Sequence, residues 1–126
     1  MKNKTMTLAE VKVIEKRISS KCEFLIDKRN TLLENLKENV SYQFAWIGED
    51  LYMTSYKADH YQWIYKMGSL EGNTIMEMLE YKIEELKSYV KHSYNVRQNS
   101  TGTLHREVST WQYIASMELI NELENL

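Results

Sequence analysis

The stretch TLAEVKVIEKRISSKCEFLIDKRNTLLENLKE, residues 7 to 38, decides the fold class. It opens on Thr7-x-x-Glu10, a capping box in which each side chain satisfies a free backbone N–H at a helix start. Met6 and Val11 stand where a hydrophobic staple would close over that cap. From there Val11, Ile14, Ile18, Cys22, Leu25, Leu32 and Leu36 recur at spacings of three and four. Leu33 and Val40 widen the stripe and Arg29 interrupts it. The pattern predicts a helix over about 8–38, roughly 45 Å long at 1.5 Å per residue. That exceeds the usual length of about 11–12 residues. One narrow apolar stripe on so long a rod needs a partner helix along most of its length. A chain of 126 residues has little else to cover it, so a homo-oligomer is expected, a dimer or a larger closed assembly.

Working outward, Ile64, Gly68, Gly72, Ile75, Leu79, Ile83, Leu86 and Val90 fall on one helical stripe. Two readings compete. The run Gly68-Ser69-Leu70-Glu71-Gly72-Asn73 has the composition of a loop, and Thr74 with Glu77 can cap a fresh helix. Because the glycines are in phase with the stripe, the preferred reading is one helix over about 59–92. In it the glycines admit a close neighbouring backbone, offsetting about 1 kcal/mol of lost helix propensity each. Over 41–56, Val40, Phe44, Ile47 and Leu51 give a helical stripe. Tyr42, Phe44 and Trp46 alternate as a strand would, with Gly48-Glu49-Asp50 as a possible hairpin turn. Helix is preferred, because the flanking segments are helical and the chain has no proline. Residues 93–103 are polar and read as a loop. A last helix over about 104–125 carries Leu104, Val108, Trp111, Ala115, Leu119, Leu123 and Leu126 on one face. The expected fold is all-α: one domain over 1–126, a small bundle of three to four helices with two long antiparallel ones.

Composition narrows the function classes. Hydrophobic residues at 43% and charged residues at 27% are ordinary for a globular domain that folds without staples. A formal charge of −2 and a pI near 5.9 argue against a general nucleic-acid coat. The single cysteine, Cys22, excludes an internal disulfide framework. No apolar run approaches the ~18 residues of a membrane span, and the amphipathic start does not resemble a signal peptide. No membrane association and a cytoplasmic location are the expectation. Abundant Lys, Asn, Ile and Tyr fit an A+T-rich genome.

Two constellations are candidate sites. The first is aromatic: Tyr52, Tyr56, Tyr61, Trp63 and Tyr65, with Lys57, His60 and Lys66 among them. Tyr and Trp bury much area yet keep a polar handle, as interface anchors do. On a helix these rings point in several directions, so one core face cannot hold them all. The bland alternative is a Tyr-rich helix lying between two others with its hydroxyls at the edges. The second is basic: from Leu86 to Arg106 there is no acid, while Lys87, Lys91, His92, Arg97, His105 and Arg106 are present with Tyr89 and Tyr94. Cations hold phosphates and rings stack on bases. Against this, Lys87, Lys91 and His92 near a helix C-terminus are also accounted for by the helix dipole.

Catalytic and metal groupings are weak. His60, His92 and His105 show no metal-ligand spacing, and there is no phosphate loop or nucleophile elbow. Glu34 with Glu38 and Glu77 with Glu80 place acids on helix faces, without the Glu-x-x-His element of helical di-metal proteins. Cys22 lies on the apolar stripe, where a thiol behaves as a small hydrophobe. No metal, no cofactor and no enzymatic activity are expected. The expectation is a non-enzymatic binding protein that occupies a protein partner's surface, its anchors in 52–65 and its acidic faces steering toward a basic partner. Small acidic chains without motifs are common among phage and mobile-element proteins, including inhibitors of host defence systems. The alternatives are nucleic-acid or nucleotide binding by 86–106, or a structural assembly component.

Overall fold

The computed structural model describes residues 6–38, 44–99 and 102–126. It is all-α: α1 Leu8–Glu38, α2 Phe44–Gly68, α3 Ile75–Asn99 and α4 Thr103–Glu124, with no strand among the described residues. Successive helices run antiparallel. The capping box closes α1, since the Thr7 N–H donates to Glu10 Oε1 (3.2 Å) and the Glu10 N–H donates to Thr7 Oγ1 (3.2 Å). Met6 and Val11 both pack against the core behind it. That core takes Ile14, Ile18, Cys22 and Leu25 from α1, Ala58, Tyr61 and Ile64 from α2, Ile75, Leu79, Ile83 and Leu86 from α3, and Leu119 and Leu123 from α4.

The helices are not equivalent. α1 lies along α2 and barely meets α3, while α3 and α4 form the other tight pair. α2 touches all three others. Its apolar residues accordingly spread around its circumference, as a helix enclosed on several sides requires. The C-terminal half of α1 rests on α2, and there Leu32 and Leu36 are only half-buried and Leu33 is exposed.

The helix limits differ from the sequence reading in three places. No continuous helix runs over 59–92: the chain leaves α2 at Gly68, turns through 69–74 and starts α3 at Ile75. Gly72 has φ +86°, a left-handed conformation that favours glycine. Thr74 Oγ1 accepts the Glu77 N–H (3.2 Å), and Asn73 Nδ2 donates to the Met67 carbonyl (3.0 Å) to close the turn. The in-phase glycine at 68 does admit a close neighbour, since an added Cβ would lie 2.9 Å from Ile75 Cα. That neighbour is the start of the next helix rather than another helix crossing a continuous one. Second, α2 has no break between 56 and 59, because Ala58 is buried and nothing there interrupts the ladder. It also covers Gly48-Glu49-Asp50 as helix, which removes the hairpin turn; Val40 and Tyr42 and the side chains of Phe44 and Trp46 lie outside the described residues. Third, the loop over 93–103 is helical through Asn99. Ser93 is buried, and Tyr94 meets Tyr113 of α4 (centroids 6.1 Å apart), so polar composition masks a packed surface.

Two glycines test this account. Gly48→Ala is expected to raise stability by about 0.5–1 kcal/mol, because it sits within α2 with nothing within 4 Å of an added Cβ. Gly72→Ala is expected to lower it by about 1–2 kcal/mol through its left-handed backbone. Urea midpoints of the two variants check both signs.

Candidate functional site

The aromatic tract does not form one exposed patch. Tyr61 is 1% exposed, within the core, and its hydroxyl donates to Glu122 Oε1 (3.1 Å). The Tyr56 hydroxyl is 2.6 Å from Ser116 Oγ. Tyr52 stacks on Tyr56 (6.1 Å) and leans on Trp111 of α4 (5.8 Å). Trp63 turns to α3, where it stacks on Tyr81 (5.6 Å) and carries Lys82 Nζ 4.2 Å from its ring centroid. Of the five rings proposed as anchors, Tyr61 is buried, Tyr52, Tyr56 and Trp63 are half-buried, and Tyr65 is exposed, at 44%. The rings do point in several directions, but a helix stands in most of them. Reading Tyr61 as a surface anchor is therefore corrected: it is an interior tie between α2 and α4.

A polar network runs beside it. Lys57 Nζ donates to Glu118 Oε1 and Glu122 Oε2, both at 2.8 Å, and Lys21 of α1 reaches Glu122 at 3.5 Å. Burial alone would raise the Glu122 carboxyl. The hydrogen bond and charge of Lys57, with Lys21 and Tyr61 adding to them, hold it below the usual carboxylate range. On the other side of α2, Lys82 bonds Glu85 (2.6 Å), and the Tyr89 hydroxyl donates to the same carboxylate (2.7 Å). The Cys22 thiol is buried and pushed up by that burial, with Glu23 adding to the shift, which keeps it protonated.

The basic residues are not brought to one place. Lys87 is bonded to Glu84 (3.4 Å); it and Lys91, one turn apart on α3, are exposed, as is His92. Arg97 lies about 15 Å along the helix from Lys87. Arg97 and Arg106 line one cleft of about 300 Å³, but Glu49 and Glu107 line it too and balance their charge. The side chain of His105 lies outside the described residues.

The structure instead places a larger concavity where no motif pointed. The backbones of α1 and α4 do not touch, and the space between them is an open groove of about 1080 Å³. Val13, Lys16, Arg17, Ser20, Lys21 and Phe24 of α1 form one wall, Tyr61 lies in the floor, and Asn121, Glu122, Asn125 and Leu126 form the other wall. Phe24 is 61% exposed and Val13 49%. On α1 the groove wall is a second stripe, 13-17-20-24, beside the core stripe 14-18-22-25. Its sequence signal was the pair of apolar residues, Val13 and Phe24, lying off the core stripe.

Among the described residues no three His, Cys, Asp or Glu side chains are placed to hold a metal ion, and no helix is long and apolar enough to cross a membrane. Comparison with known protein families, with curated proteins and with solved structures finds no match to this chain.

Proposed function

We propose that this protein is a non-enzymatic binding protein that acts by occupying a macromolecular partner, which it receives in the groove between α1 and α4. One observation carries the reading: a helix-sized groove with two large apolar side chains, Val13 and Phe24, standing open in it. Exposed apolar groups gathered in a concavity, with polar residues around them, are the usual form of a protein-docking surface. The aromatic tract 52–65 then serves as the frame that holds α4 at its distance from α1. A single buried, unpaired thiol suits a reducing compartment, so the proposal places this action in the cytoplasm.

Site-resolved crosslinking tests it. A photoreactive residue in place of Phe24 is expected to capture a partner in cells, whereas one in place of Tyr94, exposed on α3, is not. Equal capture from both positions, or none from position 24, removes the groove as the docking site.

A further inference from the structure

Resting on that reading of the groove, we propose that its occupant is an acidic amphipathic helix of about three turns supplied by a partner protein. The first argument is charge. The chain as a whole is net negative, yet the groove is lined by Lys16, Arg17 and Lys21 against Glu122 alone. Lys21 and Glu122 already pair with each other, at 3.5 Å. Lys16 and Arg17 have no ion pair among the described residues, whereas Lys28, Arg29 and Lys37 further along the same helix each have one. Two exposed cations with no ion pair among the described residues, standing beside Val13 and Phe24, complement an apolar ridge flanked by carboxylates.

The second argument is size. From Val13 to Phe24 the wall is about 17 Å long, three turns of helix. A cylinder of that length and ~10 Å diameter occupies roughly 1300 Å³, close to the groove's 1080 Å³. Ile114 and Met117, both exposed, lead into Asn121 and Asn125 on one face of α4. Exposed apolar side chains thus stand on α4 beyond the two asparagines, and a longer occupant meets them.

A second copy of this chain fits less well. Its own acidic helix face, Glu77, Glu80 and Glu84 on α3, has its apolar stripe Ile75, Leu79, Ile83 and Leu86 already in the core. That face offers carboxylates with Tyr81 alone, and the exposed apolar pair of α4, Ile114 and Met117, stands on the face that carries the groove residues Asn121 and Asn125, so it borders the groove it would have to fill.

The test is a displayed library of four-turn amphipathic helices, with fixed apolar positions and randomised flanks, selected on the full chain. The enriched pool is expected to carry Asp and Glu at the flanks and to bind more weakly as salt rises. Affinity is expected to fall about tenfold for the Lys16→Glu/Arg17→Glu variant and to vanish for Val13→Gln/Phe24→Gln. All four positions are exposed, so far-UV helicity should be unchanged in both variants. A neutral or basic pool that still needs Phe24 overturns the acidic occupant and leaves the groove reading standing. A pool indifferent to Val13→Gln/Phe24→Gln overturns both. A dimer by light scattering that becomes monomeric in Val13→Gln/Phe24→Gln makes the occupant a second copy, and the proposal falls.

Discussion

Tyr61→Ala is expected to remove about 3–5 kcal/mol of stability, the cost of deleting a fully buried aromatic ring. That is a large share of the 5–15 kcal/mol typical of a domain this size. The ring is 1% exposed and packs in the core shared by all four helices, so its loss leaves a cavity the surrounding helices cannot readily close. Tyr61→Phe keeps the ring and removes only the hydrogen bond to Glu122, whose carboxylate still holds Lys57. It is expected to cost about 1 kcal/mol. Urea unfolding followed by circular dichroism separates the two variants. Were Tyr61 a surface anchor, the alanine variant would unfold within about 0.5 kcal/mol of the parent.

The contrast between α1 and α2 shows what the chain declares in its sequence and what it does not. α1 has a local start signal, Thr7 with Glu10, and one stripe facing one way, so its limits and buried face follow from spacing. α2 has no such stripe, because it meets neighbours on several sides, and its rings read equally well as interface anchors or as contents of the bundle. Which of the two they are depends on where α3 and α4 sit, and no local pattern in 52–65 carries that. The turn at 69–74 was legible as composition, through Gly72 and the Thr74 cap, but the helical phase of Gly68 and Gly72 argued the other way. Ser93 to Asn99 reads as loop because its residues are polar; as helix it buries Ser93 and sets Tyr94 against Tyr113 of α4. The groove is the least legible feature. It exists because α4 is tied to α2 through Lys57, Tyr56 and Tyr61 while α1 packs along α2 without its backbone reaching α4, and that is a relation among three helices rather than a motif.

The second large effect is one of pH. His60 lies on α2 with Tyr56 edge-on at 4.5 Å and Tyr89 at 6.1 Å. Burial first, then the nearby charge of Lys82, pull its imidazole down from 6.5 to about 4, against a smaller opposing pull from Glu85 and Asp59. In the unfolded chain the ring takes up a proton near pH 6.5, and in the folded chain not until about pH 4. Between those values the unfolded state binds more protons, so stability is full above pH 6.5 and declines as pH falls toward 4. A displacement of that size is worth about 3 kcal/mol at full burial. The ring is partly open to water, and about 2 kcal/mol is the expected loss by pH 4. Glu85 and Glu122 are held below their usual range, so their stabilising contributions are lost only below about pH 4.5. The interval from 6.5 to 4.5 therefore reports on the histidine rather than on the carboxylates. His60→Gln fills much of the same space with a side chain that does not titrate, and should flatten the urea midpoint over that interval. A parent protein whose midpoint holds constant from pH 7 to 4.5 would mean the ring is protonated in the folded state, with Glu85 rather than the aromatic pair setting its environment.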